Sequence, residues 1–161
     1  MFVEPIAGSK IDGACFWLDG KPVIGMTLRF DRIDNFWFVL RHEIEHVLRE
    51  HAKKEAVIDT ELGEGDDQLS NNEQVANSAA AEFCASQSIL DRFVESVSPY
   101  FSEEKVLALA DVLRVHPGLV VGQLQRRLGR HDFLRKHQVK VRSFALQSAR
   151  ADGWGLVFAE R

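Results

Sequence analysis

His42-Glu43-Ile44-Glu45-His46 is the stretch of this sequence best equipped for chemistry. Histidines four residues apart lie one above the other on a helix face, as ligands converging on one metal ion must. Glu43 falls one step round the helix, beside that face, where its carboxylate can take a proton from a metal-activated water. A catalytic zinc site needs three protein ligands and one open position. No third histidine follows at the HExxHxxGxxH spacing, because positions 49 and 52 are Arg and Ala. His51, five residues past His46, falls on another part of the helix and reads as a solvated terminal histidine. A carboxylate on the next helix is the alternative. Glu73 leads, with Asn77 one turn further along the same face, and Glu82 stands in reserve. Ser70-Asn71-Asn72-Glu73 also fits a capping box, in which Glu73 would satisfy a backbone N–H instead. Spacing alone leaves both roles of Glu73 open.

These residues need two helices and a support. Asp34 is the expected N-cap of the first, and Trp37, Leu40, Ile44, Val47 and Leu48 recur at helical spacing up to about Arg49. Trp37, Leu40, Ile44 and Val47 form the expected core side, while Phe38, His42, His46 and Arg49 share the ligand side. The second helix should run roughly from Asn71 to Leu90, its alanines letting it lie close to a neighbour. Before them, Gly13 to Leu18 and Val23 to Phe30 read as strands joined by the turn Asp19-Gly20-Lys21-Pro22. The strand Val23 to Phe30 is expected to flank the first helix and offer an edge to an extended peptide.

Residues 52–69, rich in acids and holding Gly63 and Gly65, read as an exposed loop, either a solvated connector or a lid. Further on, Ser102 can cap a helix over Val106 to Leu113. His116-Pro117-Gly118 makes a turn, and Leu119 to Leu128 forms another helix stopped by Gly129. Phe133 to Ala149 could be helix, and Trp154 to Phe158 a short strand.

The 161 residues, 45% hydrophobic and 27% charged, suit one domain with a packed core and exclude global disorder. No apolar run is longer than that from Phe36 to Leu40, which is too short to cross a membrane. Met1-Phe2-Val3-Glu4-Pro5 lacks a basic start and an apolar leader, and Cys15 and Cys84 fit no CxxC spacing. Reduced thiols in a cytoplasmic protein are expected. A net charge of -4 excludes a wholly basic nucleic-acid binder. Acids gather between Arg41 and Gln74 and basic residues between Gly122 and Arg150. The two helices about His116 to Gly118 have a helix-turn-helix look, yet plain packing is expected there and direct DNA contact is not.

The run Phe36-Trp37-Phe38-Val39-Leu40-Arg41-His42-Glu43-Ile44-Glu45-His46 resembles the signature of ImmA/IrrE-type metallopeptidases. Glu73-Gln74-Val75-Ala76-Asn77-Ser78-Ala79-Ala80-Ala81-Glu82-Phe83 is similar to that family's second element. Ser9 to Gly13 and Arg29 to Asn35 resemble the peptidase-like portion of HigA-type antitoxin regulators. The resemblance spans roughly residues 3 to 130, including the hairpin and the segment His116 to Val121. Arg41 and Glu45 depart from it, standing where the family usually has small residues. The helix-turn-helix domain that often precedes such a module is missing, so a stand-alone or shortened protein is expected.

The resemblance implies His42, His46 and Glu73 as zinc ligands and Glu43 as general base. The expected fold is α+β and zincin-like: a small antiparallel sheet, the HExxH helix, a second ligand helix and C-terminal helices. Residues 1–130 would form the metallopeptidase domain, with 131–161 a basic C-terminal extension packed on it. The implied activity is Zn2+-dependent cleavage of a protein substrate, a repressor-like regulator, in response to stress or mobile-element signals. The alternative is a non-proteolytic metal-binding module that holds a partner toxin or antitoxin. No oxyanion donor stands out; Tyr100 and His116 are the candidates, each with a surface role as the plainer reading.

Overall fold

A computed structural model of the chain describes residues 1–3, 8–53, 57–60 and 71–145. Strands β1 (Ile11–Leu18) and β2 (Lys21–Met26) pair antiparallel from Gly13↔Met26 to Leu18↔Lys21. Only Asp19 and Gly20 separate them, at φ 49° and 75°. Positive φ at both central residues is the mark of a type I′ turn, whose twist matches that of the flanking strands. Leu28, at φ 50°, turns the chain away after Met26, so the second strand stops short of the expected Phe30.

A third strand, β3 (Val57–Thr60), pairs antiparallel with the other side of β1, giving the order β2-β1-β3. It lies inside the segment expected to be loop, as does part of a 3-10 turn at His51–Lys53. The remainder of that segment, residues 54–56 and 61–69, lies outside the described residues. β1 is therefore the central strand. β2 is an edge, which suits Pro22, but Met1 to Val3 occupy part of its outer side. The Met1 amine donates to the Ile24 carbonyl (2.6 Å), Val3 N–H to Met26 (2.9 Å), and Met26 N–H to Met1 (3.1 Å). The edge expected for a peptide is thus partly taken by the chain's own residues.

Six α-helices follow among the described residues: α1 (Ile33–Leu48), α2 (Asn71–Cys84), α3 (Gln87–Val97), α4 (Glu103–Leu113), α5 (Pro117–Leu128) and the short α6 (Arg142–Ala145). The chain is thus a mixed α+β protein. No single helix among these residues is long and apolar enough to cross a membrane. Arg32, not Asp34, occupies the N-cap position of α1, and the Asp34 carboxylate is held by the Arg32 guanidinium at 2.7 and 3.0 Å. The expected long second helix is two. The Gln87 side-chain amide donates to the carbonyls of Ala81 (2.9 Å) and Ala85 (2.6 Å), satisfying acceptors at the end of α2, and Glu82 Oε2 accepts the Gln87 N–H (2.8 Å).

Later helices follow their signals closely. Ser102 caps α4 through Lys105 N–H, His116 caps α5 through Gly118 N–H, and Gly129 ends α5 at φ 63°. α4 and α5 build an apolar core with Leu90 of α3, from Val106, Leu109, Ala110, Val120, Val121 and Leu124. A second cluster joins Phe38, Ala80, Cys84 and Leu119, tying α1 to α2 and α5; burial pushes the Cys84 thiol up to about 12. A third places Phe2, Met26 and Leu28 against Val39 of α1.

The buried side of α1 is the reverse of the expected one. Phe38, Val39, His42, Glu43, Glu45 and His46 are buried, while Trp37 and Leu48 are exposed and Leu40, Ile44 and Val47 half-buried. α2 and the sheet cover the polar face because the small residues Ala76 and Ala80 let α2 approach it closely.

Residues 131–145 lie against this body. Asp31 Oδ1 accepts the N–H groups of both Val141 and Arg142 at 2.8 Å, and Glu103 holds Lys136 and His137. Phe133 to Ala145 is not one helix: it contains a 3-10 turn at Arg135–His137 and α6, separated by extended chain. The remainder of the expected helix and the expected strand Trp154 to Phe158 lie outside the described residues.

Candidate metal centre

α1 presents Asp34, Phe38, His42 and His46 in a line at four-residue intervals, and α2 packs Ala80 and Cys84 beside it at Phe38. The two imidazoles tilt toward each other, with ring centroids 4.8 Å apart and the Nε2 atoms 3.0 Å apart. Glu73, in the first turn of α2, faces them with both oxygens: Oε2 is 3.2 Å from His42 Nε2 and Oε1 is 3.3 Å from His46 Nε2. Both histidines are fully buried, and the Glu73 side chain is 19% exposed, so the group opens to solvent on the carboxylate side. His42, His46 and Glu73 form a three-residue group able to hold a metal ion.

The donor set fits zinc. Two neutral imidazoles and a carboxylate suit a borderline ion, and ligands at about 2.0–2.1 Å in a tetrahedron stand about 3.3 Å from one another. The two Nε2 atoms, 3.0 Å apart, are close to that spacing, and one Glu73 oxygen lies at a similar distance from each of them, Oε2 at 3.2 Å and Oε1 at 3.3 Å. Three ligands leave the fourth position open. Of the two roles that spacing leaves to Glu73, its carboxylate geometry matches the ligand; Ser70, the other end of the capping box, lies outside the described residues.

Outer partners fix the orientation of both rings. His42 Nδ1–H donates to Asn77 Oδ1 (3.1 Å), which leaves the Nε2 lone pair pointing at the site. Asn77 is one turn from Glu73, so one face of α2 supplies a ligand and the partner of another ligand. His46 Nδ1 lies 3.1 Å from His51 Nδ1, with the rings edge-on at 5.2 Å. His51 is half-buried rather than solvated. Burial lowers its pKa, and His46 and Arg49 lower it further, so a neutral His51 can accept the His46 Nδ1–H. The Asn77 role was legible in the shared i, i+4 spacing; that of His51 required the turn after α1.

Glu43 is fully buried one step round from the ligands, on the side of the sheet. Gly13 of β1 passes against it so closely that a Cβ there would lie 2.9 Å from Glu43 Cδ and 2.8 Å from Val39 Cγ1. This is a glycine required by close approach, and the sequence gives no hint of it.

Arg41 and Glu45, the bulky departures on α1, belong to one ion-pair ladder. Arg41 donates to Glu45 Oε2 (2.8 Å) and Arg49 to Oε1 (2.5 Å), holding the Glu45 carboxyl below the usual range despite its burial. Glu82, the reserve ligand, is exposed and occupied by the Gln87 N–H. Tyr100 is 81% exposed between α3 and α4, and His116 serves as the cap of α5. Neither reaches the triad through any hydrogen bond among the described residues. Compared with known proteins, the chain matches no family model and no curated protein.

Proposed function

We propose that this chain is a zinc-dependent endopeptidase with a zincin-like core of the ImmA/IrrE type, acting in the cytoplasm on a protein substrate such as a transcriptional repressor. The observation that carries the reading is the convergence of His42 Nε2, His46 Nε2 and both Glu73 oxygens. The resemblance of residues 36–46 and 73–83 to that family supplies the substrate class.

A bound Zn2+ would supply the Lewis acidity that polarises a peptide carbonyl and draws the pKa of a water toward ~7. His42, His46 and Glu73 would hold the ion. Asn77 and His51 keep the ring lone pairs turned inward. Glu43 takes a proton from the attacking water and delivers it to the leaving amine, a role worth about 10²–10⁴-fold. The 131–145 segment supports the body through Asp31 and Glu103 and takes no part in the chemistry.

A second reading, a non-proteolytic metal-binding module for a toxin or antitoxin partner, is favoured by the complete burial of Glu43 behind Gly13. A general base must reach its water, and this carboxylate has no exposed surface. One experiment separates the two. Purified wild type and Glu43→Gln are assayed for zinc content and for cleavage of repressors encoded near the gene. The peptidase reading expects one zinc per chain in both proteins and cleavage in wild type alone. Zinc in both proteins with no cleavage by either decides for the binding module.

A further inference from the structure

The line of residues that carries the ligands continues one turn before His42 to Phe38, a buried ring stacked on the His42 imidazole with centroids 6.5 Å apart. Above Phe38 sits the guanidinium of Arg126, from the last turn of α5, its Cζ 4.1 Å from the ring centroid. Arg126 is exposed. Its nearest acid, Asp34, is already gripped at both oxygens by Arg32. Among the described residues Arg126 makes no hydrogen bond or ion pair. Its neighbour Arg127, by contrast, is engaged by Asp91 and Gln87. A guanidinium held over a ring face by its charge can still turn N–H donors to a ligand, and its fork matches a carboxylate in a two-pronged contact. Desolvation lowers the Arg126 pKa, and Asp34 opposes that shift.

The geometry points to Arg126 as a specificity subsite for a carboxylate of the peptide substrate, two or three residues from the bond that is cut. The placement follows from reach. The steps from guanidinium to Phe38 and from Phe38 to His42 are 4.1 and 6.5 Å, and an extended peptide advances about 3.3 Å per residue. The carboxylate belongs to an Asp or Glu side chain or to a free C-terminus; both present the same planar anion. Phe38 does two things in this arrangement: it holds the His42 ring and fixes the height of the cation. This inference rests on the peptidase reading.

The test uses zinc-loaded full-length chain and a randomised decapeptide library, acetylated at the N-terminus and supplied in C-terminal acid and C-terminal amide forms. Products are sequenced by mass spectrometry for wild type, Arg126→Gln and Arg126→Glu, with melting curves to establish that the variants fold. Wild type should favour an acidic residue at one fixed position two or three residues from the cut, by about ten- to a hundredfold over the neutral residue, the range of one charge-assisted contact. Arg126→Gln should lose the preference, and Arg126→Glu should turn it toward Lys or Arg, which no packing role of Arg126 would do. Cuts at fixed distance from the terminus in the acid form alone would identify the C-terminus as the carboxylate source. Cleavage without an acidic preference, or a preference unchanged in both variants, overturns the subsite and leaves the peptidase reading intact. No cleavage by wild type overturns both.

Discussion

Gly13 and Glu43 meet across the interface between β1 and α1 with no room for a side chain on the glycine. A methyl group there would sit 2.9 Å from Glu43 Cδ. Because β1 is paired on both sides, the strand cannot easily retreat, and the carboxylate must move instead. Gly13→Ala should cost about 1–3 kcal/mol of stability, the range for overpacking. It should lower cleavage far more than zinc content, since the ligands lie on the neighbouring face. Melting temperature, metal analysis and peptide cleavage on one preparation check this; unchanged cleavage would remove Glu43 from the mechanism.

Glu73→Ala should abolish stoichiometric zinc and with it the stabilisation that zinc gives the folded chain. Ligand at a hundred times its dissociation constant contributes about 2.7 kcal/mol. Wild type should therefore melt lower after chelation, while Glu73→Ala should melt at the same temperature with or without chelator. Zinc retained by Glu73→Ala would return Glu73 to a capping role, worth about 1 kcal/mol.

Asn77→Ala and His51→Ala remove none of the three proposed ligands, yet each frees a ring that its hydrogen bond now orients. Each should weaken zinc binding by about 10–100-fold, as loss of such outer partners does. Competition against a coloured zinc chelator measures the effect. Equal affinity in wild type and both variants would mean that the rings are held by packing alone.

The Arg41–Glu45–Arg49 ladder gives an acid-side signature. The Glu45 carboxyl titrates lower in the folded chain than in the unfolded one, first because Arg49 and then because Arg41 bonds it. Its contribution is therefore complete above the unfolded value of about 4.3 and is lost as pH falls through the lower folded value. At pH 7, Glu45→Gln should cost roughly 1 kcal/mol, the low end for a charged hydrogen bond because Arg49 is half exposed. Thermal melts of metal-free protein should show the gap between wild type and Glu45→Gln closing as pH drops below 4. A gap independent of pH would assign the cost to shape.

Of the possible metal-binding triad, His42 and His46 were readable in the sequence because they share one contiguous helical spacing, whereas spacing left Glu73 open between that group and a helix cap. The hairpin was readable for a similar reason, since Asp19-Gly20 carries its own turn chemistry. The buried side of α1 was not. Apolar periodicity marks Trp37, Leu40, Ile44 and Val47, but a site placed between helices puts its polar groups in the interface and leaves the apolar stripe half outside. The α2–α3 break was hidden too, because no Gly or Pro marks it; the Gln87 amide bonds the Ala81 and Ala85 carbonyls at the break only once the chain has turned. β3 is four residues long amid acids, and its strand character comes from pairing with β1 rather than from pattern. His51 and Arg126 take their places only after a turn and a distant helix have been folded back.

The two N–H groups that Asp31 accepts from Val141 and Arg142 join positions about 110 residues apart. A bond of that span returns nothing until the elements between its ends are in place. Docking of residues 139–145 is therefore expected to form late and to open while the rest of the domain stays assembled. Amide hydrogen exchange would register this as a ladder of protection, with Val141 and Arg142 opening on their own and the buried Val120, Val121 and Leu124 yielding only to loss of the whole fold.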